Sequence, residues 1–150
     1  MTDYNNKNYF IDKNKGVDII YKNDELLHET QSKFQNIKVF KNKLFGKILV
    51  IDNDLQLTDF DEHNYHEMLV HIPLNYLPKA SNVLIIGGGD GGTAREVLKH
   101  TNIKNIDQVD IDIEVINVCK KYFPALSISY EDPRLNLIIA DGSAWVDNNL

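Results

Sequence analysis

Cysteine and long apolar runs are scarce in this sequence, and each shortage excludes a class of protein. Cys119 is the only cysteine, so an intrachain disulfide is impossible, and we expect it to pack as a small apolar group in a reducing compartment. The first ten residues, MTDYNNKNYF, lack the apolar segment of a signal peptide. No run approaches the roughly 18 apolar residues of a membrane-spanning helix. We therefore expect a cytoplasmic protein with no membrane partner.

Positive charge is also in short supply. The chain has 16 Lys and Arg against 22 Asp and Glu, which gives a formal net charge of -6. Nucleic-acid binding needs an excess of Lys and Arg gathered on one surface, so the composition argues against a nucleic-acid partner. A cationic small molecule suits this charge better. The content of 43% hydrophobic and 25% charged residues is typical of a globular protein.

The pattern of the chain changes near residue 60. Between Val17 and about Thr58, short β-rich runs alternate with turn residues, which predicts a small antiparallel β-meander with the strands VDIIY, IKVF, KILVID and LQLT. From Asp61 onward, continuous apolar strands alternate with helical patterns, which predicts parallel strands buried on both faces. We therefore predict an α/β protein with a β-rich N-terminal domain, residues 1–60, and the βαβαβ first half of a doubly wound, Rossmann-like sheet, residues 61–150.

Local signals fix several helices of the second domain. The apolar spacing of Tyr65, Met68, Leu69 and Ile72 predicts one helical face, and Pro73 is expected to end or kink that helix. A further helix, IEVINVCKKYF, is predicted to begin at a capping Asp112 and to stop at Pro124. After the strand LNLIIAD, the segment GSAWVDNNL provides one or two turns of a third helix. Because a doubly wound sheet normally has a second half, we expect this chain to be a fragment of a longer protein.

A glycine-rich loop lies in VLIIGGGDGGTAREVL, residues 83–98. Gly87, Gly89 and Gly92 satisfy the pattern G-x-G-x-x-G after a strand and before a helix. Asp110 follows about 20 residues later at the end of the next strand, where a carboxylate can accept bonds from ribose hydroxyls. The alternative for Asp110 is a solvated strand end. The pattern predicts a nucleoside ligand and leaves open NAD or a cofactor of the adenosylmethionine type.

Asp90 within the glycine loop bears on that choice. A pyrophosphate on a helix N-terminus is held by bare N–H groups and a positive dipole, which a carboxylate opposes. A sulfonium or an ammonium is attracted instead. The alternative is that Asp90 only caps the helix, a role for which Thr93 is also available.

The stretch DEHNYHEMLVH, residues 61–71, has the composition of a metal site but the wrong spacing. His66 and His71 are five positions apart, roughly 140° around a helix, so they do not share one face. His63 and His66 are closer, with Glu67 adjacent, yet no third ligand with recognisable spacing follows. We predict no metal site. Tyr65 and His66 can present a phenol and an imidazole to a cleft; alternatively, Tyr65 is a core aromatic and His66 a solvated or hydrogen-bonded helix residue.

Six motifs together resemble one family, and they occur in its order with matching gaps between about Ser32 and Gly142. They are SKFQNIKVF, ILVIDNDLQLT, DEHNYHEMLVHIPL, VLIIGGGDGGTAREVLKH, VDIDIEVINVCKKYFP and DPRLNLIIADG. The chain resembles the N-terminal portion of the polyamine aminopropyltransferases, the spermidine synthases. This resemblance implies a Rossmann-like sheet of the class I methyltransferase-like kind after the β-meander.

The resemblance also implies roles for individual residues. It implies that Gln35 contacts the nucleoside of decarboxylated S-adenosylmethionine, and that Asp90 holds its aminopropyl ammonium. Tyr65 and His66 match the pair beside the amine and aminopropyl groups, where they could assist catalysis. Asp110 corresponds to the ribose-binding acid, which is usually Glu in this family.

Asp141 and Gly142 fit the pair that contacts the adenine, although Asp141 could otherwise be an ordinary strand-end or N-cap carboxylate. The family's glycine motif includes Gly87 and Gly89. Near the N-terminus the family usually has a Trp lining the amine pocket, and Tyr9 and Phe10 stand there instead.

The implied reaction transfers an aminopropyl group from decarboxylated S-adenosylmethionine to putrescine, giving spermidine and methylthioadenosine without a prosthetic group. The family's proton-accepting Asp lies in a D-x-x-D-P-x-G-P segment, which we expect beyond Leu150, so activity of the 150 residues alone is not expected. The resemblance further implies a homodimer or homotetramer formed through the β-rich N-terminal regions. The alternatives are a methyltransferase of the same fold that uses S-adenosylmethionine and a non-catalytic nucleoside-binding or interaction remnant.

Overall fold

The computed structural model describes residues 8–149, with Asn14 described by its backbone alone. Residues 1–7 of the predicted N-terminal domain, and Leu150, lie outside this range. The chain forms two compact units whose boundary in the sequence falls between Glu62 and His63. Each unit has its own sheets.

The N-terminal unit contains a hairpin and a four-stranded antiparallel sheet. Strands β1 (Tyr9–Asn14) and β2 (Val17–Lys22) form the hairpin. The sheet has the order β3-β4-β5-β6 and contains β3 (Glu25–Gln31), β4 (Asn36–Asn42), β5 (Gly46–Ile51) and β6 (Asp54–Thr58). The predicted antiparallel meander is confirmed, with two corrections. The run VDIIY is β2, which pairs with β1 and not with the other predicted strands, and β3 was not among the predicted runs.

Apolar side chains and a tight turn explain this arrangement. Phe10, Tyr21 and Phe40 are buried together, and the ring of Phe10 stacks on the other two at centroid distances of 5.8 and 6.2 Å. Between β5 and β6, Asp52 and Asn53 have φ angles of 50° and 65°. Two consecutive residues with positive φ are typical of a hairpin turn that matches the twist of its strands.

The C-terminal unit is a three-stranded parallel sheet with helices between the strands. Its elements are α1 (Glu62–Tyr76), β7 (Asn82–Ile86), α2 (Gly92–Leu98), β8 (Asn105–Asp110), α3 (Ile113–Tyr122), α4 (Pro124–Ser127), a 3₁₀ helix (Ile128–Glu131), β9 (Leu135–Ile139) and α5 (Gly142–Asn149). The strand order is β7-β8-β9, and both pairings are parallel. The βαβαβ prediction is confirmed. Because the strands are parallel, the loops after β7, β8 and β9 leave the same edge of the sheet.

Helix α1 differs in detail from the prediction. Its buried side chains are His66, Val70 and Leu74, at i, i+4 and i+8, and the last two join the core of this unit. The four apolar residues that predicted the helix, Tyr65, Met68, Leu69 and Ile72, are exposed. The helix also continues past Pro73, whose carbonyl accepts a bond from Leu77 N at 3.0 Å. The periodicity therefore identified the helix but not its buried face.

Helix α3 follows its prediction closely. Asp112 caps it by accepting a bond from Glu114 N at 3.0 Å, and Pro124 begins the next short helix. Cys119 on α3 is fully buried, as expected. The third helix is present as α5. Within residues 8–149, every helix is too short or too polar to cross a bilayer.

Candidate functional site

The loop between β7 and α2 needs its glycines for two separate reasons. Gly87, Gly88 and Gly91 have φ angles of 82°, 72° and 88°, a region that side-chain-bearing residues rarely adopt. The N–H of Gly87 donates to Val109 O at 2.7 Å and so attaches the loop to β8. A Cβ on Gly87 would meet nothing within 4 Å, so at this position conformation and not space requires glycine.

At Gly89 and Gly92 the requirement is space. A Cβ on Gly89 would lie 2.8 Å from Asp110 Oδ2 and 3.0 Å from Val115 Cγ1. A Cβ on Gly92 would overlap the imidazole of His66. The absence of a side chain at Gly89 leaves room for Asp110, and its absence at Gly92 leaves room for His66. Both Asp110 and His66 were predicted to belong to the site. The close packing brings Asp110 and His66 against the loop backbone.

Asp90 is an ionised carboxylate in this loop. Its Oδ1 accepts a bond from Gly92 N at 2.6 Å and lies 3.2 Å from His66 Nε2. Burial raises the pKa of Asp90, but the hydrogen bond and charge of His66, with the backbone N–H groups, outweigh burial and hold that pKa below its ordinary value. The helix begins after Gly91, and no side chain caps it there. Asp90 thus bonds to the helix start and also faces an imidazole.

His66 and Tyr65 are adjacent in sequence but differ in environment. His66 is 2% exposed, and because Asp90 is ionised and accepts, His66 Nε2 carries the hydrogen that it donates. Tyr65 is 65% exposed, with its ring edge-on to that of His66 at 5.4 Å between centroids. The interpretation of Tyr65 as a core aromatic is wrong in this unit, whereas His66 is a hydrogen-bonded residue.

Asp110 is buried at the end of β8, so its interpretation as a solvated strand end is wrong. It is 8% exposed and accepts bonds from Asp112 N, at 2.9 Å, and from Gly89 N. Burial raises its pKa, and the charges of Asp112 and Asp90 add to that rise, against the lowering by the two N–H groups. The fold therefore maintains a carboxylate where its charge is costly.

The remaining predicted residues lie at β9 and in the N-terminal unit. Asp141 is exposed and accepts a bond from Ala144 N at 2.9 Å, which makes it the N-cap of α5, as the alternative interpretation held. A Cβ on Gly142 would lie 2.5 Å from Ile86 Cγ2, so close packing requires glycine there as well. Gln35 lies in the turn between β3 and β4, where its N–H donates to Ser32 Oγ at 3.0 Å.

Two residues that the sequence did not single out hold this loop. Gln108 on β8 donates through Nε2 to Gly88 O at 2.6 Å, and the hydroxyl of Tyr130 donates to Gly89 O at 3.0 Å. The only signal was a Gln between the apolar residues Ile106 and Val109 of this strand. Its partners are about 20 residues away in the chain, so no local pattern points to them.

A buried carboxylate on α2 was also missed. Glu96 is 0% exposed and contacts Arg95 Nε at 2.8 Å, Lys99 Nζ at 2.5 Å and His71 Nε2 at 3.0 Å. Burial raises the pKa of Glu96, but the hydrogen bonds of Lys99 and Arg95 outweigh it and lower that pKa. His71 Nδ1 lies 2.9 Å from His100 Nε2, so this histidine is also engaged by its neighbours.

The site combines anionic groups with an apolar rim. Asp90 and Asp110 face the loop, and isoleucines at the same edge of the sheet are 39–58% exposed: Ile86, Ile111, Ile113 and Ile139. Carboxylates can hold an ammonium and ribose hydroxyls, and exposed apolar side chains can cover a purine ring. Across residues 8–149, no group of three or more His, Cys, Asp or Glu is arranged to hold a metal ion.

Comparisons with known proteins agree along the chain. The family model for the spermine/spermidine synthase domain matches residues 62–150, and that for the spermidine synthase tetramerisation domain matches residues 8–59. Spermidine synthase 1 of Hyoscyamus niger is 46% identical over 125 residues, which are 83% of this chain and 40% of that protein. The polyamine aminopropyltransferase of Methanocaldococcus jannaschii is 43% identical over 146 residues, 97% of this chain and 47% of that protein.

Solved structures give the same result. The crystal structure of spermidine synthase from Thermotoga maritima matches with a TM-score of 0.90 and 36% identity, covering 93% of this chain and 50% of that one. A spermidine synthase in complex with the transition state analogue AdoDATO matches with the same values. The chain spans half or less of the length of these relatives. On the strength of the matched domains and the shared fold, the chain belongs to the spermine/spermidine synthase family.

Proposed function

We propose that this protein is an aminopropyltransferase that converts putrescine and decarboxylated S-adenosylmethionine to spermidine and methylthioadenosine. The observation that carries the proposal is the position of the Asp90 carboxylate in the glycine loop, with Oδ1 engaged by Gly92 N and His66 Nε2. We assign the binding of an ammonium to this carboxylate. The names of the relatives support the same activity.

The reaction is an in-line displacement. The neutral amine nitrogen of putrescine attacks the methylene carbon next to the sulfonium, the C–S bond breaks, and its electron pair leaves on the sulfur of methylthioadenosine. The amine must lose one proton to become a nucleophile, and the attack leaves its nitrogen as a secondary ammonium. Catalysis therefore depends on alignment of two cations and on removal of one proton.

The described residues serve mainly to bind and orient the co-substrate. Asp90 holds the aminopropyl ammonium, and Asp110 accepts bonds from the ribose hydroxyls. Asp141 and Gly142 contact the adenine, for which the exposed Ile111 offers apolar surface. Gln35 adds a nucleoside contact. No prosthetic group is required.

Two neighbouring side chains complete the proposed amine side of the site. The exposed phenol of Tyr65 borders the amine. His66, which donates through Nε2 to Asp90, fixes the direction of that carboxylate and so of the aminopropyl group. Tyr65 and His66 thereby assist a proton acceptor that, by the family resemblance, lies beyond residue 150.

The same carboxylate argues against the competing ligands. NAD would place a pyrophosphate near Asp90, where like charges repel. Ordinary S-adenosylmethionine carries a carboxylate that would need a cationic partner near the loop. Decarboxylation removes that group and leaves two positive charges, which an anionic site accommodates.

Assembly and location form the rest of the proposal. The family model that matches residues 8–59 is described as a tetramerisation domain. We infer a homodimer or homotetramer formed through the N-terminal unit, in the cytoplasm, with putrescine and decarboxylated S-adenosylmethionine as its small-molecule partners.

Measurements of binding and turnover with the full-length protein test the proposal. Calorimetry should show binding of methylthioadenosine and decarboxylated S-adenosylmethionine, and no binding of NADH. Mass spectrometry should detect spermidine when putrescine is offered among several diamines. Tight binding of NADH with no response to methylthioadenosine would sink the proposal, and transfer of a methyl group from S-adenosylmethionine would replace it with a methyltransferase.

A further inference from the structure

Two side chains beneath the glycine loop hold consecutive peptide groups of that loop. Gln108 is 0% exposed, and its Nε2 donates to Gly88 O at 2.6 Å while lying 3.2 Å from both Gly87 O and the Tyr130 hydroxyl. The Tyr130 hydroxyl has one hydrogen, which it donates to Gly89 O at 3.0 Å, so it accepts from Gln108. The two hydrogens of Gln108 Nε2 are then directed at Gly88 O and the Tyr130 hydroxyl, so two side chains fix the consecutive carbonyls of Gly88 and Gly89.

The opposite sides of these peptide groups lead to the two carboxylates of the site. In a planar trans peptide the C=O and N–H point in opposite directions. The peptide whose carbonyl Gln108 holds carries Gly89 N–H, which donates to Asp110. The peptide whose carbonyl Tyr130 holds carries the N–H and the side chain of Asp90. Each side chain therefore fixes the peptide that places one carboxylate.

We infer that Gln108 and Tyr130 are positioning residues: Tyr130 sets the direction of Asp90 through the Gly89 carbonyl, and Gln108 sets the contact of the loop with Asp110 through the Gly88 carbonyl. This inference rests on the proposed function, because it assigns different parts of the co-substrate to the two carboxylates. Tyr130 governs recognition of the aminopropyl ammonium. Gln108 governs recognition of the nucleoside.

One further observation favours a functional over a purely structural role. Among residues 8–149, Gln108 Oε1 is buried without a hydrogen-bond partner, a cost that an apolar side chain of similar size would avoid. The phenol of Tyr130 is a donor near neutral pH at its ordinary pKa, and burial, followed by the charge of Asp90, raises that pKa further. The ammonium of Lys120 lies 5.0 Å from the centre of the Tyr130 ring and helps to fix its orientation.

The test compares two ligands that differ in the aminopropyl ammonium. In the protein as its gene encodes it, Tyr130→Phe should weaken binding of decarboxylated S-adenosylmethionine about tenfold and that of methylthioadenosine less than about threefold, the scale of one hydrogen bond. Gln108→Met should weaken both ligands about tenfold. Tyr76→Phe is the matched control, since Tyr76 is 86% exposed and its change should affect neither affinity.

The possible outcomes separate a failure of the proposed function from a failure of the positioning inference. If the wild type binds neither ligand, the proposed function fails; if it binds both and Tyr130→Phe leaves their affinity ratio unchanged, the positioning inference fails alone. A drop in melting temperature with unchanged affinities would make both residues structural and would also overturn it. Should Tyr130→Phe not fold, Gln108→Met carries the test, and failure of both variants to fold would contradict the inference.

Discussion

The two ends of the parallel sheet carry different polar chemistry. At the amino end, side chains of neighbouring strands pair with one another in solvent: Asn105 Nδ2 donates to Asn82 Oδ1 at 2.8 Å, and Asn136 Nδ2 donates to Asp107 Oδ1 at 3.0 Å. The members are exposed or half-buried, and three of the four are neutral amides. Such exposed groups lose little hydration free energy on folding, and they need no ligand as a hydrogen-bond partner.

The carboxyl end shows the opposite arrangement. Asp90 and Asp110 accept bonds from backbone N–H groups of the loops, and both are largely removed from solvent. Of the two, Asp90 also faces an imidazole, whereas Asp110 has a raised pKa because of burial and neighbouring charge. The carboxylates that are largely removed from solvent thus lie at the carboxyl end of these strands, which is the end where open α/β sheets commonly bind their ligands.

Asp90→Asn, at the carboxyl end, should reduce activity far more than a matched substitution at the amino end, and this is the largest effect that we predict. In the protein as its gene encodes it, we expect kcat/KM with decarboxylated S-adenosylmethionine and putrescine to fall about 10- to 100-fold, the value of a hydrogen bond to a charged group. Methylthioadenosine has no aminopropyl ammonium, so its affinity should change less than about threefold. Steady-state kinetics and calorimetry measure the two quantities.

The control for this change lies at the amino end. Asp107→Asn removes the same charge from an exposed pair with Asn136, and activity should remain within about twofold of the wild type. Equal losses of turnover and methylthioadenosine affinity in Asp90→Asn would contradict the proposed ammonium contact. Equal effects of the two substitutions would contradict the distinction between the ends.

Gly92→Ala tests whether the carboxyl end depends on contact between the loop and His66. The new methyl group would overlap the imidazole, so we expect the free energy of unfolding to fall by about 1–3 kcal/mol, as in other overpacked cores. Urea denaturation measures this loss. In a His66→Ala background the same substitution should cost much less, because the clashing ring is absent; an unchanged cost would refute the steric explanation.

Much of this end could be predicted from the sequence, because its signals are local. Continuous apolar strands predicted parallel pairing, and the glycine spacing predicted the loop between β7 and α2. The position of Asp110 followed from its distance along the chain from Gly87. Each signal reports backbone conformation or strand order within about 20 residues, and the structure confirms each of these elements.

The features that sequence reasoning missed depend on contacts between distant residues. The buried face of α1 is set by what packs on the helix, so the apolar spacing that starts at Tyr65 marked exposed residues. Strands β1 and β3 were missed because pairing with β2 and β4, and not their own composition, places them in sheets. Tyr130 lies 41 positions from Gly89, the residue whose carbonyl it holds. No pattern within either segment indicates that contact.

Acidification should produce the smallest effect, a change in folding stability that has opposite signs for the two carboxylates. Because the pKa of Asp90 is below its ordinary value of 3.8, Asp90 contributes stability above that pH and loses it as the pH falls through the lowered pKa. Because the pKa of Asp110 is above 3.8, its charge opposes folding near neutral pH, and this penalty disappears as the pH falls through the raised pKa. The stability of the wild type relative to Asp90→Asn should therefore decrease below about pH 4, while its stability relative to Asp110→Asn should increase between pH 7 and that point. Urea midpoints at a series of pH values measure both differences, and parallel curves for the two variants would show that the carboxyl end does not hold its two charges in the opposite ways described.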